Sequence, residues 1–262
     1  MKLKYGMPTL IEYNTLEENV KLCSELELSF IELNLGMSYC LPENNSIDNL
    51  IKLKEKHKLE FILYFPEEID FGSPYREIQN ANIALFKRFV DYGRKIGVPL
   101  INIHLLPGRR VILPDRDVWL NELRLDNYIT LLKTIFKQLV DIADSHQILV
   151  CVENCVMPVF FKQVLSNLRE VAGLYFTYNV GHDAKTNYIL KSAFYNIGNR
   201  VKHIHLHDYD KNNDHQVLFK GIINLYDKLD FARKHKTRVL IEMKTVADLR
   251  TSVHNLKMRH LI

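Results

Sequence analysis

The run from Val201 to Asp210, VKHIHLHDYD, is the densest cluster of potential metal ligands in the chain. Under period-two alternation Val201, His203, His205 and His207 share one face of a strand, and the run is too short for an amphipathic helix. Imidazole nitrogens and carboxylate oxygens at a strand end can hold a divalent cation or move protons. Taken alone, the run would equally suit the solvated edge of a sheet. Residues of the same kind, however, end other apolar runs: His104; Glu153 with Asn154; Asn179 with His182 just beyond; Asp208; and Glu242 followed by Lys244. Glu32, Asn34 and Tyr64 end two more. Buried carboxylates need a cation, and two glutamates with a histidine form a mixed oxygen and nitrogen donor set suited to Mn²⁺, Mg²⁺, Co²⁺ or Zn²⁺.

The elements that must position these residues alternate along the whole chain. Short β-rich runs precede helical ones: KLKYGM before TLEENVKLCSELE, FIELNL before SIDNLIKLKEKHK, LEFILYF before YREIQNANIALFKRFVDYGRKIG, and LINIHLL before LDNYITLLKTIFKQLVDIADSH. ILVCVEN, GLYFTYNV, VKHIHLHD and RVLIEMK open the remaining four of eight βα units. Leu131, Leu132, Ile135, Leu139 and Ile142 follow the spacing of a helix buried on one side. The strands are nearly continuous apolar runs, as in a parallel sheet covered by helices. Eight such units without a linker predict an α/β fold, a single-domain (β/α)₈ TIM barrel over residues 1–262. A doubly wound open sheet is the competitor, but the first βα turn, GMPTLIEYN, has no GxGxxG and the chain has no P-loop sequence. In a barrel the C-terminal strand ends meet at one mouth, so the residues named above should converge there.

Composition sets outer limits. The 262 residues are 47% hydrophobic and 25% charged, enough for a large core, and the net charge of +4 is spread thinly rather than gathered into a nucleic-acid-binding face. No run approaches the length of a membrane span, and the N-terminal stretch lacks a signal-peptide pattern, so the expectation is a cytoplasmic protein. Cys23, Cys40, Cys151 and Cys155 form no CxxC pair and are expected as free thiols, with Cys151 and Cys155 flanking Glu153 on its strand.

INIHLLPG, VCVEN, NVGHDA, HIHLHD with the later NDHQVLFKG, and LIEM occur in an order and spacing that resemble the xylose-isomerase-like barrel superfamily. That superfamily contains sugar isomerases and epimerases and the endonuclease-IV-type apurinic endonucleases. The sugar-isomerising branch implies one divalent metal held by Glu153, Asn179, His205 and Glu242. Asn179 stands where the family's DxGH motif has aspartate; its carbonyl oxygen could coordinate, with one negative charge fewer. The implied reaction is proton transfer through an enediolate of a sugar-like small molecule, with Glu153 and Glu242 removing and returning the proton and His182 donating to substrate oxygen. His104, Arg109, Asp208, His215 and Lys244 are expected around the substrate, and Arg110, Lys185 and Lys202 near the same strand ends. A homo-oligomer is compatible with this reading.

The endonuclease branch would require a histidine at Tyr64 and an aspartate at Asn213; the chain keeps His104, His182 and His215 but lacks one ligand from each of three metal groups. A third alternative is a barrel that has lost catalysis and binds a metabolite or protein partner, favoured by Asn179 and by Phe219, where the family commonly has glycine.

Overall fold

The structure is a computed structural model that describes residues 3–262. The first expected strand run begins at Lys2, which lies outside them. Eight parallel strands close into a barrel: β1 (Tyr5–Pro8), β2 (Phe30–Asn34), β3 (Glu60–Tyr64), β4 (Leu100–Leu105), β7 (Leu149–Asn154), β8 (Leu174–Asn179), β9 (Val201–Leu206) and β10 (Arg238–Ile241). Each strand pairs with its sequence neighbour in the barrel, and β1 closes the ring against β10. Between β4 and β7 the chain forms a separate antiparallel hairpin, β5 (Arg110–Ile112) with β6 (Asp117–Trp119).

The helices are α1 (Leu16–Glu25), α2 (Ile47–His57), α3 (Arg76–Ile96), α4 (Leu125–Asp144), α5 (Phe161–Leu168), α6 (Val180–Lys185), α7 (Lys191–Ile197), α8 (Leu225–His235) and α9 (Val246–Lys257). Their starts follow local chemistry. Thr15 and Glu18 form a reciprocal capping box on α1, and Ser46, Asn224 and Thr245 cap α2, α8 and α9. The hairpin and α6 were not anticipated from sequence. Three-residue strands exposed to solvent carry no burial alternation, and a six-residue helix is too short to show a 3.6-residue period.

Inside the barrel, side chains stack in layers two residues apart along each strand. The lower layer is apolar: Phe30, Ile62, Leu100, Cys151 and Leu240 form a buried cluster. Two residues further, the same strands present Glu32, Tyr64, Asn102, Glu153 and, just past β10, Glu242. Gly6 makes the lower layer possible, since a Cβ there would lie 2.3 Å from the Phe30 ring. All four cysteines are free; Cys23, Cys40 and Cys151 are buried and Cys155 is half-buried. Among the described residues no helix is long and apolar enough to cross a membrane.

Candidate active site

His205 is the hub of the polar layer. It is fully buried on β9, where it pairs in register with Asn179 of β8 and Leu240 of β10. Its Nε2 lies 2.9 Å from Glu32 Oε2, and its Nδ1 lies 2.9 Å from Glu153 Oε1 and 3.4 Å from Glu242 Oε2. That Nδ1 makes no directed hydrogen bond to either oxygen. Burial opposes a charge on the ring, but Glu153, Glu32 and Glu242 outweigh it and hold the His205 pKa well above its usual value. Burial alone would raise the Glu153 carboxyl; His205 and His104 outweigh it and hold that group well below the usual carboxylate range. Glu242 is held down in the same way, against its burial, by His205 and His215. Asn102 donates to Glu153 Oε2 at 2.6 Å and accepts from Thr177 at 2.7 Å, which commits the second Glu153 oxygen to a protein partner.

Asn179 is expected from sequence to offer its carbonyl oxygen to an ion; the structure turns it the other way. Its Oδ1 accepts the backbone N–H of His182 at 3.2 Å, capping α6, and lies 2.9 Å from His207 Nε2. Its Nδ2 donates to Glu153 Oε1 at 2.9 Å and Glu242 Oε2 at 3.0 Å. The two oxygens that face His205 Nδ1 are therefore also joined by an amide.

A cavity of about 430 Å³ opens at the barrel mouth above these groups, and His104, His182, His215, Glu242 and Lys244 line it as expected residues of the site. Pro8, Leu10, Ile11, Met37 and Met243 form an apolar wall. Tyr64 Oη lies 2.7 Å from His104 Nε2, which in turn is 3.6 Å from Glu153 Oε1. His215 Nε2 lies 3.4 Å from Glu242 Oε1. Burial disfavours charge on His104 and His215, but Glu153 beside the first and Glu242 beside the second raise both pKa values.

Two expected substrate contacts, Asp208 and Arg109, lie elsewhere. Asp208 is fully buried and spends its carboxylate on its own loop: Oδ1 accepts the N–H groups of Tyr209 and Ile223, and Oδ2 that of Gly221. Arg109 is exposed at the base of the hairpin and does not line the cavity; Arg110 pairs with Asp117 across the same hairpin. Lys202 lies over the Tyr175 ring near the start of β9, and Lys185 pairs with Asp214 at 3.2 Å.

Four residues of the site were not singled out as such from sequence. Glu32, named only as a strand end, supports His205 from β2; a carboxylate two residues after a buried phenylalanine was its signal. His203 and His207 flank His205 on the predicted inward face and are fully buried. Burial lowers both pKa values, that of His207 to about 3, so the His207 ring is neutral. Asp214 lies 3.2 Å from His215 Nδ1 and 3.5 Å from His182 Nδ1, and these contacts, with Lys185, keep its carboxyl below the usual range. Phe219 takes a left-handed φ of 68°, where glycine would be unstrained, with the Arg259 guanidinium 4.2 Å from its ring centre.

No curated protein sequence matches the chain. Solved structures do share its fold. A D-tagatose 3-epimerase-like protein superposes with a TM-score of 0.79 at 19% identity, covering 98% of this chain and 96% of its own. D-psicose 3-epimerase with D-tagatose from Clostridium cellulolyticum H10 gives 0.71 at 13% identity, with 97% and 92% covered. The IOLI protein with a binding zinc atom gives 0.75 at 15% identity, with 97% of both chains covered. A family model described as xylose isomerase-like TIM barrel matches residues 20–257, nearly the whole chain, and the protein belongs to that family.

Proposed function

We propose that the protein is a sugar isomerase or epimerase that moves a proton beside a carbonyl, through an enediolate, with a divalent ion held by Glu153, His205 and Glu242. The observation that carries this reading is His205 Nδ1, buried and without a hydrogen bond, facing one oxygen from each glutamate. One ligand atom from each of the three residues lies within 4.8 Å of the others, close enough to share one ion. Glu32 on the far nitrogen supplies the carboxylate that metal-bound histidines usually carry behind them. The donor set of one imidazole and two carboxylates suits Mn²⁺, Co²⁺ or Zn²⁺, and Mg²⁺ less well. A bound ion would supply Lewis-acid stabilisation of the negative charge that develops on substrate oxygens.

The protein's own groups would do the rest. Glu153, buried near the end of β7, and Glu242, on the cavity wall just past β10, come from different parts of the barrel, so one can take the carbon-bound proton and the other return it. Their neighbours hold both ionised, the state a general base needs. His182, His215 and His104 line the mouth, where they can donate to substrate hydroxyl and carbonyl oxygens. The apolar wall from Pro8 to Met37 shields the proton in transit from water. The ketose epimerases among the fold relatives favour a ketose over an aldose as substrate.

The test is deuterium wash-in. Mn²⁺-loaded protein incubated in D₂O with a panel of ketohexoses and ketopentoses should place deuterium on the carbon next to the carbonyl. Glu153→Gln and Glu242→Gln should each slow it by about 10²- to 10⁴-fold. Absence of exchange with every sugar, by protein that calorimetry shows to be ion-loaded, would reject this function.

A further inference from the structure

The Asn179 amide is unambiguous in its orientation because of His207. A backbone N–H can only donate, and that of His215 points at His207 Nδ1 from 2.8 Å, so this nitrogen carries a lone pair. The Asp208 carbonyl is further from it, at 3.4 Å. The proton of the neutral ring is then on Nε2, which must donate to Asn179 Oδ1 at 2.9 Å. The His182 N–H is a second donor to the same oxygen. With its oxygen committed twice, Asn179 has only N–H groups left to face Glu153 Oε1 and Glu242 Oε2. Gly181 completes the device, since a Cβ there would lie 2.0 Å from His207 Cε1 and expel the ring.

These are the same two carboxylate oxygens that, with His205 Nδ1, face the candidate ion position. We propose that Asn179 is an internal competitor for the ion, joining Glu153 to Glu242 through its amide protons, and that His207 is the positioning residue that holds it in this role. An arriving cation meets amide protons on the side where an oxygen ligand would help it. Where it takes the lone pairs that the amide protons hold, it must break those hydrogen bonds. The proposal rests on the ion reading above and adds to it that ion-free protein has a defined, self-clasped state, with ion affinity set by how firmly His207 holds the clasp.

The experiment uses the full ion-free chain, with Mn²⁺ and Zn²⁺ as probes. Imidazole ¹⁵N NMR should show His207 as the Nε2–H tautomer, and the Asn179 side-chain N–H₂ should resist solvent exchange. His207→Leu should speed that exchange by about tenfold, the value of roughly one hydrogen bond, whereas His207→Gln keeps a donor and an acceptor and should restore protection. In calorimetric titrations His207→Leu and Asn179→Ala should bind the ion about fivefold to tenfold more tightly than wild type, with His207→Gln at the wild-type value. An Nδ1–H tautomer, or a freely exchanging Asn179 amide in the wild type, overturns the proposal. Equal or weaker ion binding by both variants overturns it while leaving the ion reading intact. If no protein binds either ion, Asn179→Ala included, the ion reading fails and the competition fails with it.

Discussion

Glu32 and His205, from β2 and β9, meet across the barrel interior with Glu32 Oε2 2.9 Å from His205 Nε2. The contact fixes the ring so that its other nitrogen faces Glu153 and Glu242. Glu32→Gln removes the charge behind the ring while keeping the shape. Mn²⁺ or Zn²⁺ affinity should fall by about 10- to 100-fold, as with other carboxylates behind metal-bound histidines. Competition titration against a chelating dye reads this directly, and an unchanged affinity would mean that His205 needs no support from β2.

Ion binding should depend on pH with a defined sign. In ion-free protein, burial works against a proton on His205, but the three glutamates outweigh it and raise its pKa well above the usual value. An ion on Nδ1 must displace that proton. Apparent affinity should therefore rise by about tenfold per pH unit below the raised pKa and level off above it. Calorimetry in two buffers of different ionisation enthalpy should detect about one proton released per ion, and none released would contradict His205 as a ligand.

Asp208 should separate from the catalytic glutamates. Its three backbone N–H partners all lie in residues 209–223, so Asp208→Asn leaves a buried donor facing a donor. A stability loss of about 1–3 kcal/mol is expected, seen as a lower melting temperature, with deuterium wash-in by the folded fraction unchanged. Glu242→Gln should show the reverse, a loss of about 10²- to 10⁴-fold in exchange with a small change in melting. Loss of activity without loss of stability in Asp208→Asn would return this residue to the substrate site.

Gly181→Ala should destabilise the protein by about 1–3 kcal/mol, because the added methyl overlaps the His207 ring. Combining it with His207→Ala should recover part of the loss, giving a coupling well above the additive expectation. Thermal melts of the two single variants and the double variant measure it, and strict additivity would show that the two residues do not press on one another.

Abasic DNA should not be cleaved above the metal-free background. A phosphodiester reaction of the endonuclease kind needs ions clamping both attacking and leaving oxygens. Here Tyr64 is hydrogen-bonded to His104, and Asn179 presents amide protons to the carboxylates. Zn²⁺-dependent nicking that disappears in Glu153→Ala would contradict this.

Local order in the chain was enough for the barrel and for the height of its polar groups. Apolar runs of strand length separated by helical periodicity admit few topologies, and a parallel barrel sends every strand's C-terminal end to one mouth. Glu153, His205 and Glu242 could thus be expected at one depth, with His104 in or next to the same cavity, from their positions in their strands and without knowledge of any contact. Partner choice within the layer was out of reach of the sequence, because it depends on stagger and on which side chains face each other across the barrel. Glu32 reaches His205 over a separation no local pattern records. Asp208 differs from Glu242 only in that its loop folds back to present three N–H groups to it. At Asn179 the residue type was legible and its orientation was not: oxygen and nitrogen of an amide are interchangeable in shape, and the His182 N–H together with the His215 N–H, the latter acting through His207, decides which of them faces the glutamates.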